Sequence, residues 1–107
     1  MVGHAAALGD HALKVMLNMM QRHPLIGAAR GLGLLVGLEL VKDRQSKTPA
    51  RDEAEQVMYS ALSEGLSFKV TMGNILTLTP PLTITQQQID EALNIIDRCL
   101  EKVMRMD

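Results

Sequence analysis

Asn74-Ile75-Leu76-Thr77-Leu78-Thr79-Pro80-Pro81-Leu82-Thr83-Ile84-Thr85 is the stretch on which the fold turns. Apolar residues alternating with threonines from Ile75 to Thr79 read as a short strand. Two prolines then stop it, because proline cannot donate to a strand ladder. Thr85 and Gln88 form the pattern Thr-x-x-Gln, a capping box that opens a helix. Beyond it Ile89, Ala92, Leu93, Ile96, Leu100 and Val103 recur at three- and four-residue steps, which places them on one helix face. Strand, stop and helix supply walls to a domain and no reactive group.

Upstream of this ending, Leu66, Phe68 and Val70 alternate with Ser67, Lys69 and Thr71, the signature of a half-exposed strand. Met72-Gly73-Asn74 predicts a tight reversal, so that Ile75 to Thr79 returns antiparallel. Ala54, Val57, Met58, Ala61 and Leu62 mark an amphipathic helix. Thr48 is its expected N-cap, Pro49 its first helical residue and Gly65 its C-cap. Lys42 to Ala50 reads as a polar loop. Before it, Leu25 to Val41 is a near-continuous apolar run, read as strand buried on both sides or nearly so, with glycines at bends or bulges.

Ala5 to Arg22 reads as the first helix, with Ala5, Leu8, Ala12, Val15, Met16 and Met19 on one face. His23-Pro24 ends it, since the residue before proline is pushed out of the helical region. Leu13, Leu17 and Met20 widen the stripe and predict a second contact surface. The order helix, strands, helix, hairpin, helix makes an α+β two-layer sandwich, a small, mostly antiparallel sheet with helices packed on one face. Residues 1–107 are expected to form a single domain, without repeats, low-complexity tracts or linkers.

Apolar residues make up 47% of the chain, yet Phe68 and Tyr59 are its aromatic residues, and eight methionines do part of their filling. A modest core with apolar surface left for a partner follows, and self-association is expected through Met16, Met19, Met20 and the glycine-rich strand. The formal charge of −1, from 11 basic and 12 acidic residues, leaves no electrostatic footprint for nucleic acid or an acidic membrane. No run reaches the roughly 18 apolar residues of a membrane span. Cys99 is the lone cysteine, which fits a reducing compartment. Met1 to Ala5 lacks the pattern of a secretory signal, and a cytoplasmic location is expected.

Candidate chemistry is sparse. Gly31-x-Gly33-x-x-x-Gly37 resembles a phosphate-binding loop, but its last spacing is one residue too long and strand-like sequence follows, so a glycine-bent strand is the better reading. His4, His11 and His23 have no acidic or cysteine partner at metal-ligand spacing and are read as solvated or capping residues. Lys14, Lys42, Lys47, Lys69 and Lys102 fall in polar contexts, whereas a Schiff-base lysine must be desolvated or stand beside another cation. Arg30 and Glu39 flank the glycine-rich segment and are expected in a structural ion pair. Cys99 is expected at the edge of the core.

His23-Pro24-Leu25-Ile26-Gly27-Ala28-Ala29-Arg30-Gly31-Leu32-Gly33-Leu34-Leu35-Val36-Gly37-Leu38-Glu39-Leu40-Val41-Lys42-Asp43 resembles the opening of the C-terminal small domain of class III aminotransferases, fold type I enzymes dependent on pyridoxal 5′-phosphate. Gly73 to Thr85, then Ile89-Asp90-Glu91-Ala92-Leu93, resembles that domain's closing strand and last helix, and Ala5 to Asp10 fits the helix before it. The resemblance implies that the cofactor lysine, the phosphate loop and the acidic partner of the pyridine nitrogen lie in a preceding large domain. This chain would then be a C-terminal fragment. It would need the large domain as partner, would be inactive alone, and would hold no cofactor or metal of its own. Many family members place a carboxylate-gripping arginine in the strand before the Pro-Pro. The matching residue here is Thr77, carried over as a substrate-proximal position that cannot act as a guanidinium fork. In the parent the domain would cap the active site and shape substrate selection during amino-group transfer to a keto acid. The alternative is a free-standing, non-catalytic binding or oligomerisation module, since small α+β sandwiches host many functions.

Overall fold

The computed structural model describes residues 2–32, 35–81 and 83–105, with the side chains of residues 2, 4, 5 and 32 outside that description. The elements run α1 (Val2–Arg22), β1 (Ile26–Leu32), β2 (Leu35–Asp43), β3 (Thr48–Pro49), α2 (Arg51–Ser63), β4 (Lys69–Thr71), β5 (Ile75–Leu78) and α3 (Gln86–Arg105). The strands form one antiparallel sheet in the order β1-β2-β5-β4, with β3 paired to β2. The α+β sandwich is as expected.

Two local expectations need correction. The apolar run from Leu25 to Val41 is a hairpin rather than one strand, with Ile26 opposite Leu40 and Leu32 opposite Leu35. A run of that length exceeds the usual strand of up to about 10 residues, and apolar composition carries no mark of the reversal. The turn residues Gly33 and Leu34 lie outside the described residues. Nor is the segment buried on both sides: Val36, Leu38 and Leu40 are buried, while Gly37 and Glu39 face the other way. A register shift falls at Gly27, where β1 bulges against Val41.

The second correction concerns Thr48 and Pro49, which form a short strand against Val41 and Asp43 rather than the start of α2. Ala50 is the N-cap residue and makes no side-chain capping bond. The Thr48 hydroxyl instead meets the Ser46 hydroxyl at 2.8 Å, a local bond that competes with capping.

Other turns follow the sequence closely. Gly65 sits just past α2 with φ +91°, a left-handed C′ position that favours glycine. Met72 and Gly73 both have positive φ, 56° and 83°, the geometry of a type I′ hairpin turn between β4 and β5. β4 is shorter than the expected strand, although Leu66 and Phe68 still pack on the core. Thr85 Oγ1 accepts the Gln88 amide at 3.1 Å and Gln88 Oε1 accepts the Thr85 amide at 3.0 Å, so the capping box forms. Asn74 is buried but satisfied: its Nδ2 donates to the Leu40 carbonyl at 3.0 Å.

All three helices pack on the sheet face that carries Val36, Leu38, Leu40 and Leu76. α1 contributes Leu8, Ala12, Met16 and Met19, α2 contributes Ala54, Val57 and Ala61, and α3 contributes Ile89, Leu93, Ile96, Leu100 and Val103. Met16 and Met19 are fully buried and Met20 is partly buried against the same core, so these methionines do not form a free patch. No described element covers the opposite face of the sheet.

Candidate functional site

Thr77 lies on β5, on the uncovered face. Its register partners are Lys69 on β4 and Gly37 on β2, and Gly37 in turn faces Arg30 on β1. Directly opposed residues of an antiparallel pair project to the same side, so Arg30, Gly37, Thr77 and Lys69 form one row across four strands. The hydroxyl oxygens of Thr71 and Thr77 lie 2.9 Å apart on that side. A hollow of about 260 Å³ opens there, lined by Arg30, Gly31, Leu35, Val36, Gly37 and Thr77.

A larger hollow of about 430 Å³ also reaches Thr77, from the end of the sheet. Its walls include Phe68, Leu78, Pro80, Pro81, Ile89 and Leu93, an apolar lining in which the prolines leave the strand edge without donors. Thr77 thus stands between an apolar cleft and a polar shelf.

The histidines are neither solvated nor simple caps. His11 Nε2 lies 2.6 Å from Asp90 Oδ1, and His23, 5% exposed, pairs with Asp97. Both aspartates belong to α3, so the pairs fasten the first helix to the last. Local spacing hides partners that are 79 and 74 residues away. Burial pushes the Asp97 carboxyl up, but hydrogen bonds from His23 and Arg22 outweigh it and hold the group below the usual carboxylate range. His4 lies outside the described side chains. Among the described residues no group of three or more His, Cys, Asp or Glu side chains is placed to hold a metal ion.

Cys99 is buried within the core rather than at its edge, and that burial pushes its thiol up. Glu64 approaches its sulfur at 3.6 Å, while a hydrogen bond from Arg98, at 2.6 Å, lowers the Glu64 carboxyl. No ion pair joins Arg30 to Glu39, because their register partners are Gly37 and Ala28 respectively.

A model of the class-III aminotransferase family matches residues 1–100. The chain belongs to that family. This class-III chain is 48% identical over 90 residues to an (R)-1-hydroxy-2-aminoethylphosphonate ammonia-lyase of Vibrio splendidus, covering 84% of the chain and 19% of that protein. It is 41% identical to a leucine/methionine racemase of Thermococcus litoralis, over 92% of the chain and 22% of the racemase. Among solved structures, a transaminase from work on ancestral reconstruction superposes with a TM-score of 0.89 at 30% identity, over 97% of this chain and 24% of that one. A Bacillus anthracis aminotransferase gives 0.85 at 35% identity, over 92% and 24%. The chain therefore spans about a fifth to a quarter of the proteins it matches.

The cofactor implied by this class-III membership needs a lysine amine removed from water or set beside another cation. Lys14, Lys42, Lys47, Lys69 and Lys102 are all exposed. The residues present do not fit as the set that holds pyridoxal phosphate, and no step is derived through it. What sequence reading missed is the shelf itself: Arg30 and Thr77 are far apart in the chain, and only the β1-β2-β5 register brings them into one row.

Proposed function

We propose that residues 1–107 act as one domain, the small domain of a class-III pyridoxal-phosphate enzyme, capping its active site and shaping substrate choice during amino transfer to a keto acid. The observation that supports this reading is the match of nearly the whole chain, 97%, to a single stretch making up 24% of a transaminase. In this reading the cofactor and its chemistry belong to the large domain, which is the partner of this chain. The chain contributes shape and water exclusion. Its apolar cleft forms one wall, and Thr77 is a substrate-proximal position at the boundary between cleft and shelf.

The relatives' names include an aminoethylphosphonate ammonia-lyase, a leucine/methionine racemase and a taurine–pyruvate aminotransferase. Phosphonate, carboxylate and sulfonate are all oxyanions, so an amino compound with an anionic head is the substrate class we infer. The lone cysteine supports a cytoplasmic site of action. The uncovered sheet face supports assembly into an oligomer of the parent.

The test is a hybrid enzyme. This chain replaces the matching segment of the Bacillus anthracis aminotransferase, and cofactor absorbance and amino transfer are measured. Retained absorbance with measurable turnover is expected from the hybrid, and no turnover from this chain alone. A folded, cofactor-loaded hybrid that turns over no amino donor defeats the reading.

A further inference from the structure

The uncovered face of the sheet places a cation, a hydroxyl and an empty space in one line. We propose that this face carries a binding site for the oxyanion head of a small amino substrate. The head sits over Gly37, between the Arg30 guanidinium and the Thr77 hydroxyl, with the Lys69 ammonium beyond. The inference rests on the cap reading only for what bears the anion.

Four observations carry it. First, Arg30, Gly37, Thr77 and Lys69 are register partners on four adjacent strands. Strands lie about 4.8 Å apart, so Arg30 and Thr77 start roughly 10 Å from one another. That gap suits an arginine reaching inward and an oxyanion held by charge-assisted bonds of about 2.8 Å.

Second, Gly37 leaves the middle of the row without a side chain. A Cβ there would meet Ile75 Cγ2 at 3.5 Å and the Leu76 carbonyl oxygen at 3.7 Å, ordinary contacts, so the hollow of about 260 Å³ exists because the position is glycine.

Third, Arg30 is exposed and has no hydrogen-bond or ion-pair partner among the described residues. Arg22, Arg98 and Arg105 pair with carboxylates and Arg44 with backbone carbonyls. A guanidinium is a planar, always charged fork matched to oxyanions, and this one stands free beside a hollow. Lys69 is likewise exposed and unpaired among the described residues.

Fourth, the Thr71 hydroxyl can donate to Thr77 across 2.9 Å, which frees the Thr77 O–H to donate to a ligand. Glu39, two residues beyond Gly37 on the same face of β2, limits the site on that side by repelling an anion.

The experiment uses the 107-residue chain labelled with nitrogen-15, titrated with methylphosphonate and with acetate, and with methylammonium as the control. Saturable shifts are expected at the amides of Gly31, Gly37 and Thr77, with a dissociation constant of about millimolar, as so small a ligand allows. Methylammonium should leave these amides unmoved. Arg30→Gln should weaken anion binding by roughly tenfold or more, Arg30→Lys by less, and Lys69→Gln by a few fold. Arg105→Gln, on an exposed arginine of α3, should change nothing.

If Arg30→Gln loses the dispersed spectrum, Arg30→Lys and Lys69→Gln still decide the matter. Shifts that never saturate, or that persist unchanged in the Arg30 variants, overturn the proposal. So does a face that ignores both anions and instead has its Arg30 Nε resonance shifted by the large domain. That last result marks an acidic protein surface as the occupant and leaves the cap reading standing. Failure of the hybrid enzyme with intact anion shifts defeats the cap reading alone.

Discussion

Gly27 shows how much one residue controls in this fold. A Cβ at that position would stand 2.7 and 2.9 Å from the two methyl carbons of Val41, whose side chain is itself buried. Neither methyl has room to retreat, so Gly27→Ala should cost about 1–3 kcal/mol of stability in a denaturant titration, the usual range for overpacking. Gly37→Ala meets only ordinary contacts and should stay near neutral in the same measurement. The contrast separates a glycine required by packing from one that merely leaves space. Cys99 adds a chemical prediction at the same scale. Buried, with its thiol pushed up, it should react with a thiol reagent at neutral pH far more slowly than free cysteine, and reach the free rate only in denaturant.

Between elements, α3 is held by its cap and by the two aspartates that meet α1. Thr85→Ala removes a bond to the Gln88 amide and should cost about 1 kcal/mol, with faster amide exchange confined to the first turn of α3. Asp97 gives the pH dependence. Its carboxyl is held below the unfolded value, so the stabilisation it provides is complete above the ordinary carboxylate range and is lost as pH falls through the lowered folded value. Asp97→Asn should therefore destabilise the fold at neutral pH by about 1 kcal/mol, a figure reduced by its partial exposure. In acid, below the folded value, the two proteins should converge in thermal melts.

These elements also show which features the sequence makes legible. The capping box and the Met72-Gly73 turn are local chemistry, complete within four residues, and both are where the pattern puts them. The reversal inside Leu25–Val41 was hidden because apolar side chains suit either one long strand or two short ones. Thr48 looked like a cap because threonine is a good one, and lost that place to a nearby serine and a strand pairing. The His–Asp contacts and the Arg30–Thr77 row depend on residues far apart in the chain, and only tertiary register brings them together.

At the level of the whole molecule, the apolar surface predicted for a partner lies elsewhere than the methionines of α1. Leu35 is 49% exposed on the uncovered sheet face, while Met16 and Met19 are sealed inside. Concentration-dependent association, followed by light scattering, should therefore weaken in Leu35→Ser and not depend on substitutions at Met20. Because Leu35 buries little in the isolated chain, the melting temperature of Leu35→Ser should remain within a few degrees of the original.

The contacts that tie Asp90 and Asp97 to His11 and Arg22-His23 also bear on synthesis. The opening helix finds its anchor in the last twenty or so residues, which are still inside the ribosomal tunnel while everything before them has emerged. Closure of the core must wait for release of the nascent polypeptide. Until then the glycine-rich hairpin and its apolar neighbours are exposed, and that interval is when this chain most needs a chaperone.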